Sequence, residues 1–352
     1  MVPRLVIIAD IKNWAFDIVA NNMKKCLADN FQVDIIYSND EKYHKDLYTI
    51  LEDAKGYDII HVLWRKLLLQ FDLKEFRDKV INAGYNFEEY IGNIRGKVST
   101  AVYDHMFLEQ EDINKYANVF NRYSSQYYTS SNKLLDIYSE INEYASPFSV
   151  IMDATDIDIF VPKNIERFEY QNIKDREIII GWVGNSNWNY NNEEKIDYKG
   201  YHTIFKKAIE ELVKEGYDIR MYCADRNEKW IPRNEMPEYY KEIDVYICTS
   251  LMEGTPNPVL EAMATGVPVI TTDVGIVNDI LGKEQQNFII NERSIQAIKD
   301  KVKYLYNNRE LFEILSKENI EESKKHHYIE RKQNIIDFFN AVVEKMKGLK
   351  NE

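Results

Sequence analysis

Hydrophobic positions along the chain come in two alternating rhythms. Short apolar runs, RLVIIAD at 4–10, FQVDIIYS at 31–38, DIIHVLW at 58–64 and KVSTAVYDH at 97–105, have the length and β-branched content of buried strands. Between the first two, WAFDIVANNMKKCL at 14–27 repeats its apolar residues at helical spacing, and YYTSSNKLLDIYSEI at 127–141 reads as a strand end followed by a helix. A polar, irregular, proline-containing stretch, DATDIDIFVPKNIERFEYQNIKDRE at 153–177, then breaks the rhythm. Beyond it the alternation restarts: IIIGWVG at 178–184, a helix over 202–215, DIRMYCA at 218–224, a helix over 235–242, VYICTS at 245–250, a helix over 258–265 and PVITTD at 268–273. Strands alternating with helices build parallel sheets covered on both faces. The pattern therefore predicts an α/β protein of two Rossmann-like domains facing across a cleft, with ligands at the C-terminal ends of the strands. The expected boundaries are 1–160 for the N-terminal domain, 161–177 for a linker, 178–327 for the C-terminal domain and 328–352 for a long amphipathic helix. The Asn-rich GNSNWNYNNEEK at 184–195 reads as a mobile loop.

The totals narrow the functional classes. A length of 352 residues suits two domains of ordinary size, and 45% hydrophobic with 29% charged residues is globular composition. A formal net charge of −13 argues against a general nucleic-acid binder, which carries a basic surplus. Cys26, Cys223 and Cys248 lie far apart with no C-x-x-C pair, so neither a disulfide framework nor a zinc site is indicated. No stretch approaches a membrane span in length. The expected setting is the cytoplasm, with at most a peripheral contact at the inner membrane face. No G-x-x-x-x-G-K-[ST] is present, so P-loop ATP hydrolysis is not indicated.

The stretch EGTPNPVLEAMATGVPVITTDVG at 253–275 differs in texture from everything around it, with small residues, prolines and glycines and two glutamates eight positions apart. Asn257 suits an N-cap and Pro258 the first helical position, so a helix is expected to start at Pro258. Its N-terminus would present backbone N–H groups and the positive end of the dipole to an anion. Gly254 and the two prolines let the preceding loop approach a ligand closely and stiffly. Glu261 falls among apolar neighbours in the first turn of that helix and needs a partner. Taken singly, Glu261 fits a dipole-complementing residue and Glu253 a solvated loop carboxylate.

Together the residues form E-G-x-x-x-x-x-x-E-A-M-A-x-G-x-P-V-I, which resembles the signature of the family-4 retaining glycosyltransferases (GT4), enzymes of the GT-B fold. Glu253 and Glu261 give the E-x7-E spacing, and Ala262, Met263, Ala264, Gly266, Pro268 and Val269 follow in register. More weakly, YKGYHTIFKKAIEEL is similar to the family's K-G block, and YTSSNKLLDIY and DATDIDIFVP to later N-terminal-domain and linker blocks. The resemblance implies a hexosyltransferase of polysaccharide biosynthesis, using a UDP- or GDP-type sugar donor without a cofactor or metal. The acceptor it implies is a glycan, a lipid-linked glycan or another cell-surface precursor, held on the N-terminal side, with the final helix packing back on that domain. It assigns Lys199 to the donor diphosphate and Glu261 to the ribose. Glu253 and the backbone of Gly254, Thr255, Pro256 and Asn257 would hold the transferred sugar, with His105 facing the same sugar. His105 fits a strand-end structural histidine equally well.

Departures from the family are specific. Asn185 and Ser186 stand where an arginine usually follows the first strand of the C-terminal domain, so the candidates for the diphosphate are Lys199, the helix N-terminus, Arg226 and Asn185 itself. ATDID replaces the usual G-V-D of the linker, and no Gly-Gly turn follows the first strand. Two further readings fit the same residues: a nucleotide-sugar epimerase of the same fold, and a non-catalytic nucleotide-sugar-binding subunit of a transferase complex. Elsewhere, Asp156-x-Asp158 is a three-letter match to a metal–nucleotide motif but reads better as structural or solvated carboxylates. His326 and His327 read as surface residues, with no second pair nearby to complete a metal site. LWRKLLLQFDLKEFRDKV at 63–80 reads as a helix packed on the first sheet, or as an interfacial segment near a lipid-linked acceptor. Trp14 and Trp188 are candidates to stack on a sugar or base, whereas Trp182 lies within a strand and reads as core.

Overall fold

The computed structural model describes residues 2–188 and 196–349. The Asn-rich loop expected over 184–195 falls, from 189 onward, outside the described residues. The chain separates into two compact units, Met1–Asp153 with Tyr328–Glu352, and Ala154–His327.

In the first unit, β1 (Arg4–Ala9), β2 (Gln32–Tyr37), β3 (Ile59–Val62), β4 (Val98–Val102) and β5 (Gln126–Thr129) form one parallel sheet in the order β2-β1-β3-β4-β5. Successive residues of a strand face opposite sides, and β1 uses both sides for core. Val6 and Ile8 join Leu67, Leu68, Phe71, Phe76 and Val80 on one face. Leu5 and Ile7 join Ile335, Phe338, Phe339 and Val342 of the last helix, Lys332–Leu349, on the other. The 63–80 segment is thus a 3-10 turn, Arg65–Asp72, and a helix, Lys74–Asn82, which give Leu67, Leu68, Phe71, Phe76 and Val80 to the core and leave Leu73 and Ile81 exposed. β4 ends at Val102, so His105 lies in the turn beyond it and not at a strand end as its sequence suggested.

In the second unit, β6 (Ile178–Gly184), β7 (Ile219–Asp225), β8 (Val245–Cys248), β9 (Val269–Thr272) and β10 (Ile289–Ile290) form a parallel sheet ordered β10-β9-β8-β6-β7. β10 makes two register pairs with β9, too short a run to show a period in the sequence. Trp182 on β6 is buried against Tyr201 and Phe205, a core position.

The polar stretch 153–177 is not a free tether. Phe160, Phe168 and Ile173 are buried, and the Arg167 and Arg176 guanidinium groups both reach Asp244, whose carboxylate also accepts the Ile179 N–H at 2.7 Å. Its polarity is that of a strap with buried ion pairs. His326 and His327 are likewise not surface residues; they are 8% and 9% exposed, because Thr155 forms an isolated parallel bridge with His327 and donates its N–H to His326 O.

Candidate functional site

β8 delivers the chain into the 249–257 loop at the C-terminal edge of the second sheet, where Thr249 and Ser250 are buried. The Lys199 ammonium and the Ser250 hydroxyl (2.7 Å) both donate to Oε1 of Glu253. Burial works against the charge of Lys199, but the Glu253 carboxylate outweighs it and holds the ammonium above its usual range. Thr249 Oγ1 donates to Lys199 O at 2.8 Å, and Leu251 N to Tyr198 O at 2.7 Å, so the K-G segment is stitched directly to the loop. The ring of Trp188 lies 5.7 Å from Lys199 Nζ, which brings the loop after β6 to the same ammonium.

Two glycines make this close stitching feasible. Gly200 has φ +69°, and a Cβ there would stand 2.3 Å from Thr249 O; Gly275 has φ +53°, and a Cβ there would stand 2.1 Å from Gly254 O. Both backbones therefore approach the loop at distances only glycine permits. Arg293 braces the underside, donating from Nε to Thr249 O at 2.8 Å and from Nη2 to Asp197 O. Asp197 in turn caps the helical turn after Gly200 through Oδ2, which accepts from His202 N (2.8 Å) and Thr203 N (2.9 Å).

The helix after the loop begins one residue earlier than expected, at Asn257, with Pro256 at the cap position and no side-chain cap bond. Asn257 is therefore not the N-cap, and Glu261 sits a full turn into the helix. Asn257 N donates to Thr255 O, Val259 N donates to Pro256 O, and Pro258 has no N–H. The helix end thus offers its partial positive charge rather than a row of vacant N–H groups. Thr255 Oγ1 is buried with no hydrogen-bond partner, and the hydroxyl is a group a ligand could satisfy.

Glu261 is 7% exposed and already has protein partners. Its Oε1 accepts from Arg233 Nη1 and its Oε2 from Tyr240 OH, both at 2.9 Å. Burial raises its pKa, and Arg233 and Tyr240 only partly offset this. Arg233 also lies 4.9 Å over the Phe160 ring, so the strap after the first unit supports Glu261 indirectly. Sequence reasoning missed Arg233; WIPRNEMP has no period or motif, and only the fold brings it to the helix.

Asn185 and Arg226 stand at the ends of β6 and β7. Asn185 Oδ1 accepts from Asn187 N (3.1 Å) and Asn227 Nδ2 (2.8 Å). Asp225, 1% exposed, accepts from Ser186 N and Asn227 N through Oδ1, tying the two strand ends together. Arg226 donates its backbone N–H to Gly184 O, and its residue is exposed. Lys199, Glu253 and Gly254 are thus one cluster, Glu261 heads a second, and Asn185 lies in a third. His105 belongs to the first unit, half-buried in the turn after β4.

Two parallel five-stranded sheets with flanking helices, one in each unit, define the α/β two-domain GT-B fold class. Among solved structures, Anabaena HepE in complex with UDP-glucose matches with a TM-score of 0.64 at 12% identity, over 96% of this chain and 100% of that one. A sucrose-phosphate synthase from Thermosynechococcus elongatus matches with a TM-score of 0.60 at 14% identity, over 99% and 98% of the two chains. Within that fold, residues 227–349 match the family described as Glycosyl transferases group 1. The lipopolysaccharide core biosynthesis mannosyltransferase LpsB of Rhizobium meliloti is 28% identical over 140 residues, 39% of this chain and 38% of the relative. An Escherichia coli UDP-Gal:alpha-D-GlcNAc-diphosphoundecaprenol alpha-1,3-galactosyltransferase is 26% identical over 193 residues, 47% of this chain and 49% of the relative. These matches span less than half the length of either relative.

Proposed function

We propose that the protein is a retaining hexosyltransferase that moves a sugar from a UDP- or GDP-type donor to a glycan, lipid-linked or other cell-surface precursor, without a metal or cofactor. The observation that carries this reading is the Lys199–Glu253–Ser250 cluster beside a helix N-terminus, in which Glu253 is the first glutamate of the E-x7-E stretch and lies, with Ser250, within the residues that match the group 1 family. The relatives named for lipopolysaccharide core biosynthesis and for galactosyl transfer to alpha-D-GlcNAc-diphosphoundecaprenol support the acceptor class. Peripheral contact with a membrane would follow from a lipid-linked acceptor; among the described residues no helix is long and apolar enough to cross one.

In this reading Lys199 and the positive end of helix Asn257–Ala264 stabilise the charge that develops on the leaving diphosphate. The bond from the anomeric carbon to the diphosphate oxygen breaks while the acceptor oxygen attacks from the same face, and the acceptor proton passes to the leaving phosphate. Glu253, with residues 254–257, holds the sugar hydroxyls, and the family resemblance alone assigns His105 to the same sugar. Glu261 takes the ribose: each carboxylate oxygen has two lone pairs, so Arg233 and Tyr240 leave acceptor capacity for ribose hydroxyls. Asn185 and Arg226 flank the diphosphate.

The test is a thermal-shift panel of UDP, GDP, ADP, TDP and CMP, followed by hydrolysis and transfer assays with sugars of the nucleotide that binds. A ligand at about a hundred times its Kd adds roughly 2.7 kcal/mol of stability. Stabilisation by one diphosphate, weaker stabilisation by its monophosphate, and a transferred sugar of unchanged anomeric configuration are expected. An isomerised nucleotide sugar formed without acceptor would make the protein an epimerase, and tight binding without turnover a binding subunit.

A further inference from the structure

Two motifs that the proposed site leaves unused come together in the fold. Asp156 and Asp158 belong to the D-x-D just after the first unit ends at Asp153, and His327 is the last residue of the second unit. One donor atom from each of the three lies within 4.8 Å of the other two. Asp156 is 5% and His327 9% exposed, while Asp158 faces solvent. The backbone here is held rather than loose. Phe160 N and Ile159 N donate to Asp156 O at 2.9 and 3.1 Å, and Asp158 N donates to Asp156 Oδ1 at 3.1 Å.

A second observation points to a bound group. Thr155 and His327 are partners in a parallel bridge, and residues paired in this way carry their side chains on the same face. Thr155 is 3% exposed, and its hydroxyl has no hydrogen-bond partner. Folded chains rarely leave such a group unsatisfied unless something binds beside it.

We propose that Asp156, Asp158 and His327 bind one divalent transition-metal ion, zinc by preference, with the Thr155 hydroxyl bonded to a water on the ion. An imidazole among the donors favours such a cation over magnesium or calcium, which prefer oxygen alone. Three protein donors leave a coordination position for that water. Donor atoms on one zinc stand about 3.3 Å apart, so binding draws the three inward, and the exposed Asp158 carboxylate closes on the others by rotation. The ion clips together the two passages of chain that join the second unit to the first, one entering at Ala154 and one leaving at His327. Its role is structural, and it takes no part in the transfer chemistry.

The test uses the full chain, stripped with a chelator and titrated with Co²⁺, which reports coordination by its visible absorption, and then with Zn²⁺ in competition. Expected are saturable binding of one equivalent, a rise in melting temperature with Zn²⁺, and slowed hydrogen exchange at 155–160 and 325–328. Asp158→Asn, at an exposed position, leaves the metal-free melting temperature unchanged and weakens binding roughly tenfold or more. His327→Gln shifts or abolishes the cobalt bands. Failure to bind one equivalent, or binding that Asp158→Asn and His327→Gln both leave unchanged, overturns the proposal.

Discussion

Lys199 and Glu253 are held against each other, so a diphosphate arriving at Lys199 competes with a carboxylate for the same ammonium. Lys199→Ala is expected to weaken nucleoside diphosphate binding about tenfold or more, close to 1.4 kcal/mol, while leaving the free nucleoside unaffected; calorimetry on the two ligands separates these outcomes. Glu253→Ala is expected to lower kcat more than nucleotide affinity, because it removes a sugar contact and unpairs Lys199. Glu261 makes a different prediction. Folding raises its pKa, so the folded state holds a proton more readily than the unfolded chain, and ionising it costs stability as pH climbs above the ordinary 4.5. Glu261→Gln should therefore melt at or above the wild type at pH 7, with the difference closing near 4.5, while nucleotide affinity falls. A variant that melts lower at pH 7 would show that Arg233 and Tyr240 stabilise the charged form after all.

At the scale of elements, the site depends on loops that touch each other through glycine. Gly275→Ala places a Cβ against Gly254 O, and Gly200→Ala against Thr249 O, each at a positive φ. Each should cost upwards of about 2 kcal/mol and weaken nucleotide binding even though neither residue carries a functional group. A melting curve and a binding isotherm on each variant check both effects. In the first unit, β3 buries His61 under Tyr128, Phe338 and Phe339, with Nδ1 3.0 Å from Ser99 Oγ. Burial pushes its pKa down to about 3, so it stays neutral in the fold while the unfolded chain takes up a proton below 6.5. Stability is complete above that value and falls by up to about 1.4 kcal/mol per pH unit below it. His61→Phe should show a flatter loss of melting temperature between pH 6.5 and 4 than the wild type.

At the scale of the molecule, the last helix is part of the first unit's core rather than an appendage. Ile335, Phe338, Phe339 and Val342 cover the Leu5 and Ile7 face of the sheet. Burying each such side chain contributes about 1.5–3 kcal/mol, so truncation before Lys332 removes several of these contributions at once. The truncated chain is expected to lose the cooperative transition of its first unit and to bind a hydrophobic dye, and calorimetry of the two forms tests this.

Alternation of apolar runs and helical periods was enough to read two parallel α/β sheets, since β-branched strands and amphipathic helices carry their periods locally. The E-x7-E stretch was legible for the same reason: loop, helix start and both glutamates lie within one continuous segment. Where residues distant in the chain had to meet, the sequence was silent. Arg233 reaches Glu261, Gly275 seats itself on Gly254, and Asp156 and Asp158 meet His327 only because the strands between them stack in a particular order. Burial likewise turned a stretch read as a linker into a packed strap and a histidine pair read as surface into interior residues. Local periodicity is written in the chain itself. Partners, burial and the electrostatics that follow from them are decided by packing, which only the tertiary structure supplies.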